Sequence, residues 1–307
     1  MLLAPKYLLL GAFLASVAYV HLRGRSRFRF VRQLANHSSL LAPYNALMYL
    51  FSAVPSKPLL SERDFPELAP LSANWRLIRE EAQKLSDDGY IRAALHNNDI
   101  GFNSFFKRGW KRFYLKWYDQ PLPSARALCP RTVDLVNAIP TVKGAMFALL
   151  PPGSRLNPHR DPFAGSLRYH LGLVTANSDA CFISVDGERY AWKDGEAVLF
   201  DETYIHFAEN NTGVTRLILL ADVERPLRTR LLQAVNRWVS RSVVAASSTQ
   251  NVENEPVGRL NRFYGKVYHP VASRISTAAR TLKRRNRLLY RVLQYAIVIG
   301  LAYLIFA

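Results

Sequence analysis

From Lys143 onward, apolar and polar residues alternate along the chain with a period of two. Apolar runs such as KGAMFALL, SLRYHLGL and VTRLILLADV are separated by turn sequences, among them PPGS, NNTG and two Asp-Gly pairs. Short alternating runs separated by such turns are typical of antiparallel sandwiches and barrels. No long run with helical spacing interrupts this segment, so the pattern predicts a jelly-roll-like barrel.

The residues ahead of the barrel have helical spacing instead. Apolar side chains recur at Leu71, Trp75, Ile78, Ala82 and Leu85, and Asp-Asp-Gly follows them. This spacing predicts an amphipathic helix that packs on the barrel and ends at the glycine. The expected fold class is therefore α+β, a barrel with flanking helices.

Two other segments have patterns of their own. Residues 39–54 are apolar and aromatic, and they predict a helix, broken at Pro43, that lies against a membrane or covers the domain. Residues 109–119 alternate aromatic and basic side chains and predict a strand. Either one face of this strand is core and the other is a basic wall near a substrate entrance, or it is an edge strand with solvated lysines. Its candidate pocket residues are Trp110, Arg112, Tyr114 and Trp117.

Both ends of the chain are apolar and are bordered by basic residues on their inner side. The apolar run at residues 7–22 approaches the roughly 20 residues that cross a bilayer, and a second run extends from residue 288 to 307. The positive-inside rule then places the middle of the chain in the cytoplasm. A half-inserted first helix, or two core helices of a soluble domain, are the alternatives. The bordering residues are Arg23, Arg25, Arg27, Arg29 and Arg32 after the first run, and Lys283, Arg284, Arg285, Arg287 and Arg291 around the start of the second.

The formal net charge of +18 over 307 residues indicates a polyanionic partner, either nucleic acid or an anionic membrane. Between residues 226 and 291, fourteen Lys or Arg stand against two acids, and no nucleic-acid motif accompanies them. This favours lipid headgroups and no nucleic acid. The two cysteines, Cys129 and Cys181, lack metal-type spacing and are predicted to be buried, inert thiols.

Three candidate metal ligands fall within the predicted barrel. His159 and Asp161 are two residues apart, so on an extended chain they point to the same side, and His206 follows a later strand. Two histidines and one carboxylate on one face of a metal suit a non-haem Fe(II) that must also bind a cosubstrate and dioxygen. Alone, a His-x-Asp pair with a later histidine is a weak signal among seven histidines.

Cationic residues in the neighbouring strands strengthen the prediction of a metal site. Arg216 alternates with leucines in VTRLILLADV, where an arginine is costly unless it faces an anion. Arg168 and His170 are two apart and predicted to face one side of a strand. Together these residues fit a dicarboxylate that chelates the metal. A buried ion pair between Arg216 and Asp222 or Glu224 is the alternative.

Over about half the chain, residues 68 to 226, the sequence resembles the aspartyl/asparaginyl β-hydroxylase family. The resemblance lies in PHRDPFAGSLRYHLGL, in DGERYAWKDGEAVLFDETYIHFAENNTGVTRLILLADVERP and in the helix NWRLIREEA. Within the family the chain is most similar to bacterial lipid A hydroxylases, which share two terminal anchors. The resemblance implies a double-stranded β-helix and a dioxygenase that uses Fe(II), 2-oxoglutarate and O2.

Carried over residue by residue, the resemblance makes His159 and His206 iron ligands. It implies that Arg168 and His170 contact the 2-oxoglutarate carboxylate next to the keto group, and that Arg216 holds the distal carboxylate. The peptidyl hydroxylase branch departs from this chain at two positions. It has glycine where this chain has Asp161, so the carboxylate ligand is restored here.

The second departure falls on Ala148, where that branch has a serine that helps to hold the distal carboxylate. Another partner of Arg216, such as a tyrosine or water, is then needed.

The resulting hypothesis is 2-hydroxylation of an acyl chain of lipid A at the bacterial inner membrane, with the catalytic domain on the cytoplasmic side. The alternatives are the same chemistry on an ornithine lipid, hydroxylation of Asp or Asn in a protein, and a silent barrel that binds lipid phosphates. The expected organisation is an anchor (1–22), a basic juxtamembrane and interfacial helical segment (23–67), the dioxygenase domain (68–226), a basic membrane-proximal segment (227–287) and a second anchor (288–307).

Overall fold

The alternating segment folds into eight strands, β3 to β10, in a computed structural model that describes residues 5–34, 36–94, 99–120 and 122–306. Residues 1–4 and 307, the tips of the predicted anchors, lie outside the described residues. The strands are β1 Leu59–Leu60, β2 Lys111–Trp117, β3 Val142–Leu150, β4 Arg155–His159, β5 Ser166–Val174, β6 Cys181–Val185, β7 Glu188–Ala191, β8 Ala197–Phe200, β9 His206–Asn210 and β10 Arg216–Glu224.

Helices precede and follow these strands. They are α1 Pro5–Leu22, α2 Phe30–Leu34, α3 His37–Leu40, α4 Ala42–Leu50, α5 Ala69–Ala73, α6 Trp75–Asp87, α7 Asn103–Phe106, α8 Pro123–Leu128, α9 Pro130–Asn137, α10 Arg230–Val239, α11 Arg259–Phe263, α12 His269–Arg285 and α13 Arg287–Phe306.

The strands form two antiparallel sheets. The larger has the order β1-β8-β5-β10-β3-β2 and the smaller the order β4-β9-β6-β7. Apart from the β6–β7 hairpin, consecutive strands from β3 to β10 lie in different sheets, which is the winding of a double-stranded β-helix. The strand order therefore confirms the predicted barrel. The apolar faces of both sheets turn inward around one core.

The helical predictions hold with local corrections. Helix α6 buries Ile78, Ala82 and Leu85 and is followed by Gly89 with φ of +75°, but Leu71 belongs to the separate α5. The break in residues 39–54 falls before Pro43, not at it. A proline is tolerated in the first helical turn because the amide it removes would have no intrahelical partner there.

Strand β2 lies at the edge of the larger sheet, so the edge-strand interpretation is correct in position. The basic wall is wrong, because Arg112 is 1% exposed and forms a buried ion pair with Asp99. Both cysteines are free and buried, as predicted. Burial raises the pKa of Cys129 to about 12, which keeps its thiol protonated and unreactive.

The segment after α1 is docked on the barrel through Arg23. Its Nη2 lies 2.6 Å from Asp201, its Nη1 donates to Thr203, and its guanidinium stacks on the ring of Tyr49, 3.9 Å from the centroid. Arg225 is a second buried partner of Asp201, at 2.8 Å. Arg23, one of the arginines that border the first apolar run on its inner side, is therefore paired with a buried carboxylate.

Replacing Asp201 with asparagine is expected to destabilise the fold by about 3–5 kcal/mol, because two buried guanidinium groups lose their anion. Burial raises the pKa of Asp201, but Arg225 and Arg23 outweigh it and hold that pKa well below its usual range. The stabilisation is thus complete above the unfolded-state pKa, about 4, and declines as the pH falls below it. Thermal unfolding of the detergent-solubilised chain should show a Tm gap between wild type and Asp201→Asn that narrows in acid.

The matched control is Asp134→Asn, because Asp134 pairs with Arg126 on the surface with its side chain 62% exposed. Its Tm should change little. A Tm change of equal size in both variants would contradict the structural role of Asp201.

Among the described residues, one helix is long and apolar enough to cross a membrane. This is α1, and 11% of its 18 residues are buried within the protein. Only Val17 and Val20, near its C-terminal end, are buried against the body of the protein. Helix α13 covers the second predicted anchor. Its insertion into a membrane stays a prediction.

Candidate active site

The three predicted metal ligands meet at one end of the smaller sheet. His159 ends β4, His206 opens β9 as its register partner, and Asp161 follows β4 by two residues. One ligand atom of each lies within 4.8 Å of the others, and the two imidazole centroids are 4.2 Å apart. The sequence prediction that these side chains converge is confirmed.

Both imidazoles are oriented by backbone carbonyls. Nδ1 of His159 lies 2.8 Å from the carbonyl oxygen of Asn157, and Nδ1 of His206 lies 3.0 Å from that of Tyr204. A carbonyl can only accept, so each Nδ1 carries the proton and each Nε2 keeps a free lone pair. Two neutral imidazoles with free Nε2 atoms are the form that binds a divalent metal.

The third ligand is held by Arg168. Nη2 of Arg168 donates to Asp161 at 2.9 Å and also contacts Glu202, while its Nε lies 2.9 Å from Asp222. Burial raises the pKa of the Asp161 carboxyl, but Arg168 and the histidines outweigh it, so the pKa lies below its usual range. Asp161 is therefore ionised and ready to coordinate.

These contacts give Arg168 a role within the protein itself, before any cosubstrate binds. The resemblance assigns it to the 2-oxoglutarate carboxylate, and it does line the cavity, but it is also the shared partner of three carboxylates, of which Glu202 and Asp222 are buried. Burial, with the neighbouring carboxylates of Asp222 and Asp161, raises the pKa of Glu202 well above its usual range, and Arg168 opposes this shift. A direct contact between Arg168 and the cosubstrate stays a prediction.

A buried cationic corner lies deeper in the cavity. Arg216 is 2% exposed, and its Nε and Nη2 have no hydrogen-bond partner in the described part of the chain. Both ring nitrogens of His170 are likewise buried and unpartnered there. The alternative of an ion pair between Arg216 and Asp222 or Glu224 is wrong, since those acids contact Arg168 and Lys143 instead.

The pKa values of Arg216 and His170 are both lowered, and an anion bound beside them would raise both. Burial lowers the pKa of Arg216 to about 10. Burial, followed by repulsion from Arg216 and Arg168, lowers the pKa of His170 well below its usual range, so its imidazole is neutral. A buried arginine with free donors is costly unless an anion binds it.

Trp192 is a polar group of this corner that the sequence analysis missed. It is fully buried, the guanidinium of Arg216 lies 4.4 Å from its ring centroid, and its Nε1 has no hydrogen-bond partner among the described residues. Ala148, where the peptidyl hydroxylase branch has serine, is fully buried and offers no donor. The indole N–H is thus a candidate for the donor that this serine would supply.

The residues of this cavity therefore fit both groups, the metal and the cosubstrate. The donor set of two free Nε2 atoms and one ionised carboxylate suits Fe(II). The unpartnered nitrogens of Arg216, His170 and Trp192 suit a dicarboxylate. Trp192 and all six residues predicted for the site line one cavity between the two sheets. The six are His159, Asp161, Arg168, His170, His206 and Arg216.

The opposite wall of the cavity is aromatic. Phe105 lies edge-on to His159 with centroids 4.7 Å apart, and Phe102 stacks on Trp110 at 4.8 Å. Of the four guessed pocket residues, Trp110 alone lines this cavity in the described structure. Tyr114 instead contacts Asp99 beside Arg112, and Trp117 donates to the carbonyl of Val244.

The other members of this wall could not be found from sequence. Phe102 and Phe105 lie in the loop and short helix before β2, and no spacing rule connects GFNSFF to His159. Trp192 directly follows β7, and the sequence there shows only the alternation typical of a strand, which does not indicate a ligand site. The one available signal was that a buried tryptophan needs a partner for its N–H.

The family model described as aspartyl/asparaginyl beta-hydroxylase matches residues 72–226. The chain is 32% identical over 193 residues to an ornithine lipid ester-linked acyl 2-hydroxylase of Rhizobium tropici, covering 62% of this chain and 68% of that protein. It is 28% identical over 171 residues to the human aspartyl/asparaginyl beta-hydroxylase, covering 54% of this chain and 22% of that protein. A prolyl-4-hydroxylase structure from Pseudomonas putida matches half of this chain and 87% of its own, at 20% identity and a TM-score of 0.34.

Proposed function

This chain belongs to the aspartyl/asparaginyl β-hydroxylase family of Fe(II)- and 2-oxoglutarate-dependent hydroxylases, and we propose that it hydroxylates C2 of an acyl chain of lipid A at the bacterial inner membrane. The relative from Rhizobium tropici is an acyl 2-hydroxylase by name, which supports an acyl chain as the substrate class. The finer choice of lipid A rests on charge. A basic chain of net +18 suits a phosphorylated lipid.

The observation that carries the proposal is the aromatic wall beside the metal triad. Phe105 packs edge-on against His159, and Phe102 and Trp110 line the same cavity, so this wall consists mainly of aromatic ring surface. A wall of this kind binds an acyl chain, whereas the carboxylate or amide of an Asp or Asn substrate would require polar partners there.

The chain's own residues divide the work of the reaction. His159, Asp161 and His206 would hold Fe(II), while Arg216, Trp192 and His170 would bind 2-oxoglutarate. Their bound groups supply the oxidation, in which 2-oxoglutarate and O2 become succinate and CO2 as a C–H bond becomes C–OH. The aromatic wall keeps water away from the reacting carbon and places the chain beside His159.

The membrane placement follows from α1 and the flanking arginines. Arginines follow α1 toward the middle of the chain, and by the positive-inside rule this supports a barrel on the cytoplasmic side. Arg160, between His159 and Asp161, donates to the carbonyl of Val20 at 2.6 Å, which ties the end of α1 to the metal site. The cavity would thus be held close to the lipid that it oxidises.

An ornithine lipid is the second candidate substrate, because the relative from Rhizobium tropici has that specificity by name. The chemistry would be the same, but the headgroup carries an amine and a carboxylate instead of phosphates. A protein Asp or Asn is less well supported, since the aromatic wall offers it little. A silent lipid-binding barrel would leave the convergence of the three metal ligands without a purpose.

The test is expression of the chain in a Gram-negative host that lacks its own lipid hydroxylase, followed by mass spectrometry of the extracted lipids. Lipid A should gain one oxygen on an acyl chain with the wild type and with His269→Ala, a histidine of α12 outside the site, but not with His159→Ala. An oxygen on an aminolipid alone would move the substrate to ornithine lipid. No lipid change, while purified protein still makes succinate, would refute a lipid substrate.

A further inference from the structure

Helix α4 turns an apolar face to the outside of the protein. From residue 39 to 54 the sequence contains no charged residue. Leu47 is 43% exposed and Leu50 61%, and Leu40 just before the helix is 78% exposed. An exposed helical face without a single charge is unusual for a surface in contact with water.

Helix α10 presents a similar face, bordered by arginines. Leu231 and Trp238, seven residues apart and so on one side of the helix, are 75% and 67% exposed. Arg230 and Arg237 are exposed beside them, and Arg237 also lies 3.6 Å from Glu224. An apolar stripe with a tryptophan and flanking arginines is the composition of a helix that lies in a membrane interface.

The two faces adjoin each other and α1. Val17 of α1, Met48 of α4 and Leu227 just ahead of α10 pack in one small apolar cluster. The amide of Arg228 donates to the carbonyl of Phe51 at 2.9 Å, and Tyr44 donates to Asn236 at 2.7 Å. Because α4 packs beside the last turns of α1, a membrane that receives α1 meets the exposed face of α4 at the same level.

We propose that these faces form one interfacial surface that lies in the headgroup region of an anionic bilayer. It consists of Leu40, Leu47, Leu50, Phe51, Leu231 and Trp238. Continuity with α1 argues for a lipid bilayer as the occupant, and the arginines at the border of the surface favour anionic lipid.

The interfacial surface is coupled to the metal site through Asn45. Its Nδ2 donates to the carbonyl of Pro162 at 2.8 Å, and its Oδ1 accepts from the amide of Ala164 at 3.0 Å. Pro162 and Ala164 lie within three residues after Asp161. The helix that contacts lipid therefore also fixes the loop that carries a metal ligand. The surface would serve the proposed lipid substrate, but its membrane contact does not depend on turnover.

The test uses the full chain with one environment-sensitive label. Leu50→Cys and Leu231→Cys are labelled with a nitrobenzoxadiazole probe, and Val214→Cys, 44% exposed beyond the end of β9 farthest from His206, is the control. Cys129 and Cys181 are buried and should not react. Each protein is reconstituted into vesicles of phosphatidylethanolamine and phosphatidylglycerol that contain doxyl-labelled lipid.

Doxyl lipid should quench the probe at positions 50 and 231 at least about threefold more than at 214. Replacing phosphatidylglycerol with phosphatidylcholine should reduce the quenching at 231. Equal quenching at all three positions would overturn the surface, and quenching indifferent to lipid charge would overturn its anionic preference. Blue-shifted emission without quenching would mean that another protein, or a second copy of this chain, covers the surface, and would also refute the proposal. None of these readings changes if the substrate is not a lipid, so the two proposals fail separately.

Discussion

Replacing His206 with alanine is expected to abolish hydroxylation and to reduce Fe(II) affinity by more than about 100-fold, because loss of a group that only orients a metal ligand already costs about 10–100-fold. The Nε2 atom of His206 is one of the converging donors, and its Nδ1 is already committed to the carbonyl of Tyr204. Iron content per chain after dialysis against a calibrated chelator, and succinate formation by the same sample, measure the two effects.

Asp161→Gly is the companion variant, because the peptidyl hydroxylase branch has glycine at this position. Iron affinity should fall less than in His206→Ala, and the freed Arg168 would still be paired with Glu202 and Asp222. His269→Ala should bind iron as the wild type does. Unchanged iron affinity in Asp161→Gly would show that the carboxylate orients Arg168 and is not a metal ligand.

The barrel, and the placement of His159 and Asp161 on one side of the chain, could be predicted from sequence because both depend on short-range periodicity, whereas the assignment of His206 as their partner at iron is what the family resemblance implies. The alternation of two fixes which side chains share a face, so Arg168 and His170 were expected on one wall and lie there. Arg216 was predictable because an arginine within an apolar strand has few stable environments. Its true environment, a corner without a protein anion in the described structure, could not be predicted from the sequence and is seen only in the fold.

The features that escaped prediction are pairings between distant residues. Arg23 reads as one of several juxtamembrane arginines, and only the fold reveals Asp201 beside it, 178 residues away. Arg112 similarly looked like part of a basic wall until its partner Asp99 was placed in the core. A sequence pattern states that a charge needs a partner, but the partner is chosen by packing.

Replacing Arg216 with methionine is expected to change stability and cosubstrate binding in opposite directions. Without cosubstrate, Arg216 is a buried cation whose pKa is lowered to about 10 by burial, and it has no anion among the described residues. Methionine removes that cost, so the Tm of the free protein should rise. The affinity for 2-oxoglutarate should fall by about 30-fold or more, since removing one partner of a buried charge pair costs about 2–5 kcal/mol of binding. Thermal unfolding and calorimetric titration with Mn²⁺ in place of Fe(II) measure both.

Two variants separate this prediction from a general effect of losing an arginine. Arg225→Met removes a buried arginine that is paired with Asp201, so it should lower the Tm and leave 2-oxoglutarate affinity unchanged. Trp192→Phe keeps the ring that supports the Arg216 guanidinium but removes the unpartnered Nε1 donor. Its affinity should fall by about 10-fold, the weight of one hydrogen bond to a charged group. If Arg216→Met lowers the Tm as Arg225→Met does, Arg216 has a protein partner, and the corner is structural rather than a carboxylate site.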